Sequence, residues 1–149
     1  MLSVARYKRV LGIWVIIGLG FFSLSAQAEV ETVETLTGEA LHIRLVETAI
    51  HYDFFNQRCR GVRASANQSE VNRLFIQKYR LTLNNFIKKY ITTDARDLRD
   101  RLKNALYRQV ADMGGGQPAR AQGLEATIKS DYRQLLERVD VSSWYPLID

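Results

Sequence analysis

A chain of 149 residues, 46% hydrophobic and 25% charged, holds material for one compact domain and too little for two. Its single cysteine excludes a disulfide within the chain, and a formal net charge of +5 is too small to mark a nucleic-acid partner by itself. Arg6, Lys8 and Arg9 supply part of that charge; without the first 28 residues, 18 Lys and Arg face 16 Asp and Glu.

The chain opens on "MLSVARYKRV", which has three basic residues and no acid, then runs apolar from Val10 to Leu24 and ends in Ala26-Gln27-Ala28. A positive start, a short apolar centre and a small-residue ending are the parts of a secretory signal peptide, with cleavage expected after Ala28. The run of 15 residues is short of the roughly 20 that a spanning helix needs, and Gly18 and Gly20 weaken it further. Residues 1–28 are therefore read as a signal peptide and 29–149 as a single helical domain. The expected address is periplasmic or secreted, with membrane contact only through the uncleaved signal segment.

Beyond the leader the apolar pattern repeats with a helical period, and no strand-like alternation competes with it. The fold class expected is all-α, a small antiparallel bundle of about four helices, with breaks at residues 61–68, at Thr92-Thr93 and at "GGGQP", residues 114–118. The first helix is predicted over about Glu39 to Arg60. Leu41, Leu45, Ala49, Tyr52, Phe55 and Cys59 make one stripe, which ends on Cys59 and directs it inward. Gly61 suits the left-handed position past a helix end, and Arg58 and Arg60 suit its last turn. Packing at a helix C-terminus opposes a thiolate, so Cys59 is expected to be buried and inert; a disulfide to another molecule stays open.

A second row on the same helix, Ile43, Val46, Ile50 and Phe54, lies nearly opposite the first. A helix apolar on two sides is either the most enclosed one or carries a row for another molecule. The row is taken here as a candidate partner-binding surface, together with Trp144 and Tyr145.

The second helix is predicted as one element over about Glu70 to Ile91, with Phe75, Ile76, Tyr79, Leu83, Phe86, Ile87 and Tyr90 on a broad face. The basic residues between them scatter around the remaining circumference, which argues against a nucleic-acid platform. The third starts at "TTDARD", with Asp94 or Thr93 as cap and Leu98, Leu102, Ala105, Leu106, Val110 and Met113 as its row. The fourth follows the glycines and uses Leu124, Ile128, Tyr132, Leu135, Leu136 and Val139. The tail, residues 141–149, carries Trp144, Tyr145, Leu147 and Ile148 around Pro146 and is expected to fold back over the bundle.

His42 and His51 are the only histidines and stand half a turn apart around the first helix, so they do not form a chelating pair, and His51 is read as exposed beside Arg44, Glu47 and Arg58. The glycine run lacks the Gly-Lys-Ser/Thr ending of a phosphate loop, and no nucleophile elbow or zinc-protease motif occurs. No catalytic residue, metal ligand or cofactor is assigned. The function expected is a non-enzymatic interaction protein of an envelope or secretion system, an accessory subunit, a chaperone-like factor or an immunity-type inhibitor. Its partner is another protein or a second copy of the chain; the alternative is a helical carrier of a lipid or other amphipathic ligand. Intact mass of the exported protein tests the leader: a chain beginning at Glu29 is expected, and a membrane-bound species retaining Met1 would overturn the cleavage.

Overall fold

The structure, a computed structural model, describes residues 32–147. The signal peptide expected over residues 1–28, and Ile148 of the tail, lie outside the described residues. Six helices make up the described chain, α1 (Gly38–Arg60), α2 (Ala66–Tyr79), α3 (Leu83–Tyr90), α4 (Ala95–Asp112), α5 (Gly116–Ala121) and α6 (Leu124–Val141), and no strand occurs among the described residues. None of these helices is long and apolar enough to cross a membrane.

The all-α expectation holds, but the described helices number six where about four were expected. The predicted second helix is two, because Arg80 takes a left-handed conformation (φ 58°), the only positive φ outside glycine among the described residues. Local caps fix the break. Thr82 accepts from the Asn85 amide (3.2 Å) and Asn72 Oδ1 accepts from the Leu83 amide (2.9 Å), so α3 starts on satisfied groups. The bend turns Phe86 against Phe75, edge to face at 4.9 Å, and buries Leu83 and Ile87. The stretch read as a glycine linker contains α5, a short helix with Pro118 in its first turn, where a missing amide hydrogen costs nothing.

Other ends follow the sequence chemistry. Gly61 closes α1 in the left-handed region (φ 67°), and the Val62 amide reaches back to the Asn56 carbonyl at 3.1 Å. Asp94 caps α4 by accepting from the amides of Arg96 (2.8 Å) and Asp97 (3.4 Å).

α1 occupies the centre and touches each of the other five helices. Leu45, Val46, Ala49, Ile50 and Phe55 on it are fully buried, and with them lie two polar side chains, His42 and Asp53. Asp53 is satisfied by the start of α2. Its Oδ1 accepts from the Asn67 backbone amide (3.0 Å) and Nδ2 (2.8 Å), and its Oδ2 from the Gln68 backbone amide (2.9 Å) and Nε2 (3.1 Å). A carboxylate from the central helix thus caps a neighbouring helix at its positive end, where α2 has no side-chain cap of its own. Gln68 in turn accepts from Arg99 Nε (3.1 Å), whose Nη2 reaches Asn84 Oδ1 (2.9 Å), so the network joins α1, α2, α3 and α4. Tyr132 of α6 donates to Glu70 Oε2 (2.6 Å); burial and that bond raise its hydroxyl pKa far above the ordinary phenol range.

Removing the Asp53 carboxylate leaves the amides it receives without acceptors in a buried place. Asp53→Ala is expected to cost about 3 kcal/mol of unfolding free energy in a urea titration, and a loss under about 1 kcal/mol would contradict this cap.

Candidate functional site

The two candidate regions from the sequence part company here. Val46 and Ile50 are fully buried inside the chain itself, and Ile43 and Phe54 are partly buried and pack against the same core. The partner surface expected on this row is therefore corrected: with five helices around α1, both its apolar rows face neighbours. Burying Val46 and Ile50 contributes about 1.5–3 kcal/mol each to folding, and neither is available to another molecule.

The tail does fold back, as a strap running from the end of α6 across α1, α2 and α3. Trp144 sits in a seat built by α1, with its ring 4.5 Å from the His42 ring and 5.8 Å from that of Tyr90. Gly38 forms the floor of the seat. A Cβ there would come within 3.4 Å of the Trp144 ring, and the φ of 54° at Gly38 suits glycine independently. The Gly38 carbonyl accepts from His42 Nδ1 at 2.7 Å, which leaves Nε2 as the acceptor for the Tyr79 hydroxyl, also at 2.7 Å. Phe75 and Phe86 complete the ring cluster around His42. Burial is the main cause that holds the His42 pKa below its ordinary value; the Gly38 bond opposes the shift and the Lys78 charge adds to it. Tyr79, buried and beside Tyr145 and Asp140, is pushed up to about 12.

Lys78 fastens the root of the strap. Its Nζ donates to the carbonyls of Val139 (2.7 Å), Asp140 (2.5 Å) and Ser142 (2.8 Å), which closes the last turn of α6 with a cation where the free carbonyls are partly negative. Tyr145 donates its hydroxyl to the Lys78 carbonyl (2.5 Å) and Tyr90 donates to the Leu147 carbonyl (3.1 Å). Pro146 is buried, whereas Tyr145 is 59%, Leu147 76% and Val141 77% exposed. The strap thus turns one side to the bundle and presents Tyr145 and Leu147 to solvent, beside Val141 at the end of α6.

Sequence reading missed His42 and Lys78 in these roles. A signal for His42 existed: at 100° per residue, His42 and Asp53 fall between the two rows of α1, inside its apolar arc. His51 departs from expectation. It is half-buried, its Nε2 is enclosed without a partner, and burial lowers its pKa and so favours the neutral ring. It lines a cleft of about 630 Å³ between α1, α6 and residues 32–34, together with Glu34, Arg44, Gln109, Asp131 and Gln134. Val33, Leu124 and Ile128 share that wall with the charged side chains of Glu34, Arg44 and Asp131, so the cleft is mixed, and its charges oppose a purely apolar chain. Among the described residues no group of three His, Cys, Asp or Glu side chains is placed to share a metal ion. Cys59 is partly buried at the edge of the core, close against Gly116, and burial raises its pKa despite Arg58 and Arg120. The thiol form, which is neither nucleophile nor ligand, is favoured.

The two regions respond differently to charge. Ile50→Glu is expected to lose helicity or at least about 4 kcal/mol of stability. Leu147→Glu is expected to stay within about 0.5 kcal/mol of the parent chain. Circular dichroism of urea-unfolded samples reads both, and a stable, helical Ile50→Glu chain would restore the second row of α1 as a surface.

Compared with protein-family models, with characterised proteins and with solved structures, the chain finds no match in any of the three.

Proposed function

We propose that the protein is exported, loses residues 1–28, and works in the periplasm or outside the cell as a non-enzymatic interaction protein. In this reading the longer helices, α1 among them, form a small antiparallel bundle, and the strap, with Trp144 and Tyr145 at its centre, is the contact element. The observation that carries the reading is the distribution of exposed apolar side chains: of Val62, Ile76, Val141, Tyr145 and Leu147, three lie within residues 141–147. Large apolar side chains left in water in one short segment mark a binding site more often than scattered ones do.

Charge indicates the kind of partner. From Val71 to Thr93 the chain has no acidic residue and five basic ones, Arg73, Lys78, Arg80, Lys88 and Lys89. The strap lies against this stretch through Lys78, Tyr79 and Tyr90. A complementary surface therefore has an apolar groove for Tyr145 and Leu147 and an acidic rim, on another protein or on a second copy of this chain. An accessory subunit, a chaperone-like factor or an inhibitor of a toxin would each use such a contact. The lipid-carrier reading is the weaker one, because the α1–α6 cleft is lined by Glu34, Arg44 and Asp131.

A photo-crosslinking residue in place of Leu147, compared with one in place of the exposed Lys129 on α6, tests this reading in the producing cell. One discrete adduct from position 147, weakened by salt and absent from position 129, is expected. The same adducts from both positions, or none from 147 together with a monomer on sizing chromatography, would overturn it.

A further inference from the structure

The strap is held at its middle by a buried, ionisable side chain. His42 is fully buried, its Nδ1–H is committed to the Gly38 carbonyl, and its Nε2 accepts from Tyr79. Four rings surround it, from Phe75, Tyr79, Phe86 and Trp144, and Trp144 is the nearest, at 4.5 Å. Three of these belong to α2 and α3. Only Trp144 belongs to a non-helical segment, residues 142–147.

We propose that His42 is a proton-operated latch on the strap: protonation of its ring releases Trp144 from the Gly38 seat and adds that ring to the contact surface formed by Val141, Tyr145 and Leu147. The inference rests on the strap being the contact element, and it concerns how that element is regulated.

The chemistry runs in one direction. A second ring proton turns Nε2 into a donor to the Tyr79 oxygen, so the bond reverses and the Tyr79 hydroxyl proton must find another acceptor in a buried place. The new charge is buried, and among the described residues the charged group that bears on it is Lys78, a cation. Facing His42 or its immediate shell are Lys78 and Tyr79 from α2, Tyr90 from α3 behind Trp144, and Tyr145 from the strap; α1 contributes the Gly38 carbonyl. Asp140, at the end of α6, acts on Lys78 and Tyr79. Lys78, the charged group that bears on His42, is itself a cation and opposes protonation. Hydration of the imidazolium relieves the conflict, and the cheapest cover to lift is the strap. Its bonds from Tyr145 and Tyr90 lie in exposed positions where water replaces them. The Lys78 clamp on Val139, Asp140 and Ser142 shares no hydrogen bond with His42, so α6 stays closed and the strap opens from Ser143 onward.

The sign follows from linkage. The latched state depresses the His42 pKa, so the released state binds the proton more readily. Latching is complete above the ordinary imidazole value of about 6.5 and weakens up to tenfold per pH unit below it, until the depressed value is reached.

Trp14 and Trp144 are the only tryptophans, so in a Trp14→Phe background Trp144 is the sole emitter whether or not residues 1–28 remain. Fluorescence, acrylamide quenching and far-ultraviolet circular dichroism are followed from pH 8 to pH 4.5, together with the histidine and indole resonances in nuclear magnetic resonance spectra. A red shift and increased quenching of Trp144, at the midpoint of the His42 resonance and with helicity unchanged, is the expected result. His51→Gln should keep that midpoint and His42→Gln should abolish the transition, while leaving Glu47, a carboxyl on α1 whose pKa burial raises, in place. No Trp144 transition, one that follows His51 or persists in His42→Gln, or one that coincides with loss of helicity, would overturn the latch. Should His42→Gln fail to fold, coincidence of the His42 and Trp144 resonances in the parent chain decides alone. Crosslinking from position 147 separates the two readings: a released Trp144 with no adduct at either pH defeats the contact function and leaves the latch standing.

Discussion

Enclosure of α1 is the constraint from which the rest of the fold follows. A helix with large apolar residues on two sides cannot lie at a surface, and here five other helices close around it. Its remaining exposed side is narrow and carries Arg44 and Arg58. The surrounding helices are conventional covers with one apolar face each; α1 is the element that must be complete for any of them to have a core to pack against. A chain this short has no second core to fall back on.

The same enclosure makes polar atoms on α1 expensive and therefore specific. His42 and Asp53 are fully buried, and each draws its partners from outside α1 or from the α1 backbone: Asp53 from the first turn of α2, His42 from Tyr79 near the end of α2 and from the Gly38 carbonyl. A slip of α2 along α1 would strand both at once. Apolar contacts tolerate small sliding, whereas these bonds do not, so the two polar residues set the register that the hydrophobic rows leave loose.

What was legible in the sequence tracks how local the determining forces are. The end of α1 at Arg60 and the start of α4 after Asp94 follow from Gly61 and from the Asp94 side chain, within a few residues of the boundary. The break between α2 and α3 was not legible, because Phe75, Tyr79, Leu83, Phe86 and Tyr90 keep a helical spacing straight through it. The periodicity reports which side chains are buried, and both a continuous and a bent helix bury them. Helix α5 was hidden by composition, since glycines and Pro118 read as a linker although Pro118 is tolerated in a first turn. On the candidate site, the tail's return to the bundle was expected from its apolar load, but its seat was not. Gly38 and His42 stand one helical turn apart on α1, but Trp144 comes from the other end of the described chain, and no local rule connects it to them. The partner row on α1 failed for the opposite reason: two apolar sides were read correctly, but the number of helices available to cover them was underestimated.

The contrast between the two buried polar residues of α1 separates structure from function in this molecule. Asp53 is held by four donors from the first turn of α2, an element that cannot leave without the domain unfolding. His42 is covered on one side by α2 and α3 and on the other by Trp144, in a strap whose neighbouring residues are largely in water. Both satisfy the rule that buried polar groups find partners, yet only the cover over His42 can be removed at a cost smaller than global unfolding. A polar group under a helix stabilises a fold; in the proposed latch, the same kind of group under a non-helical strap makes that strap conditional. Of the large apolar side chains exposed among the described residues, Tyr145 and Leu147 lie on that strap and Val141 beside it, so the proposed contact role and the proposed latch fall on the same segment.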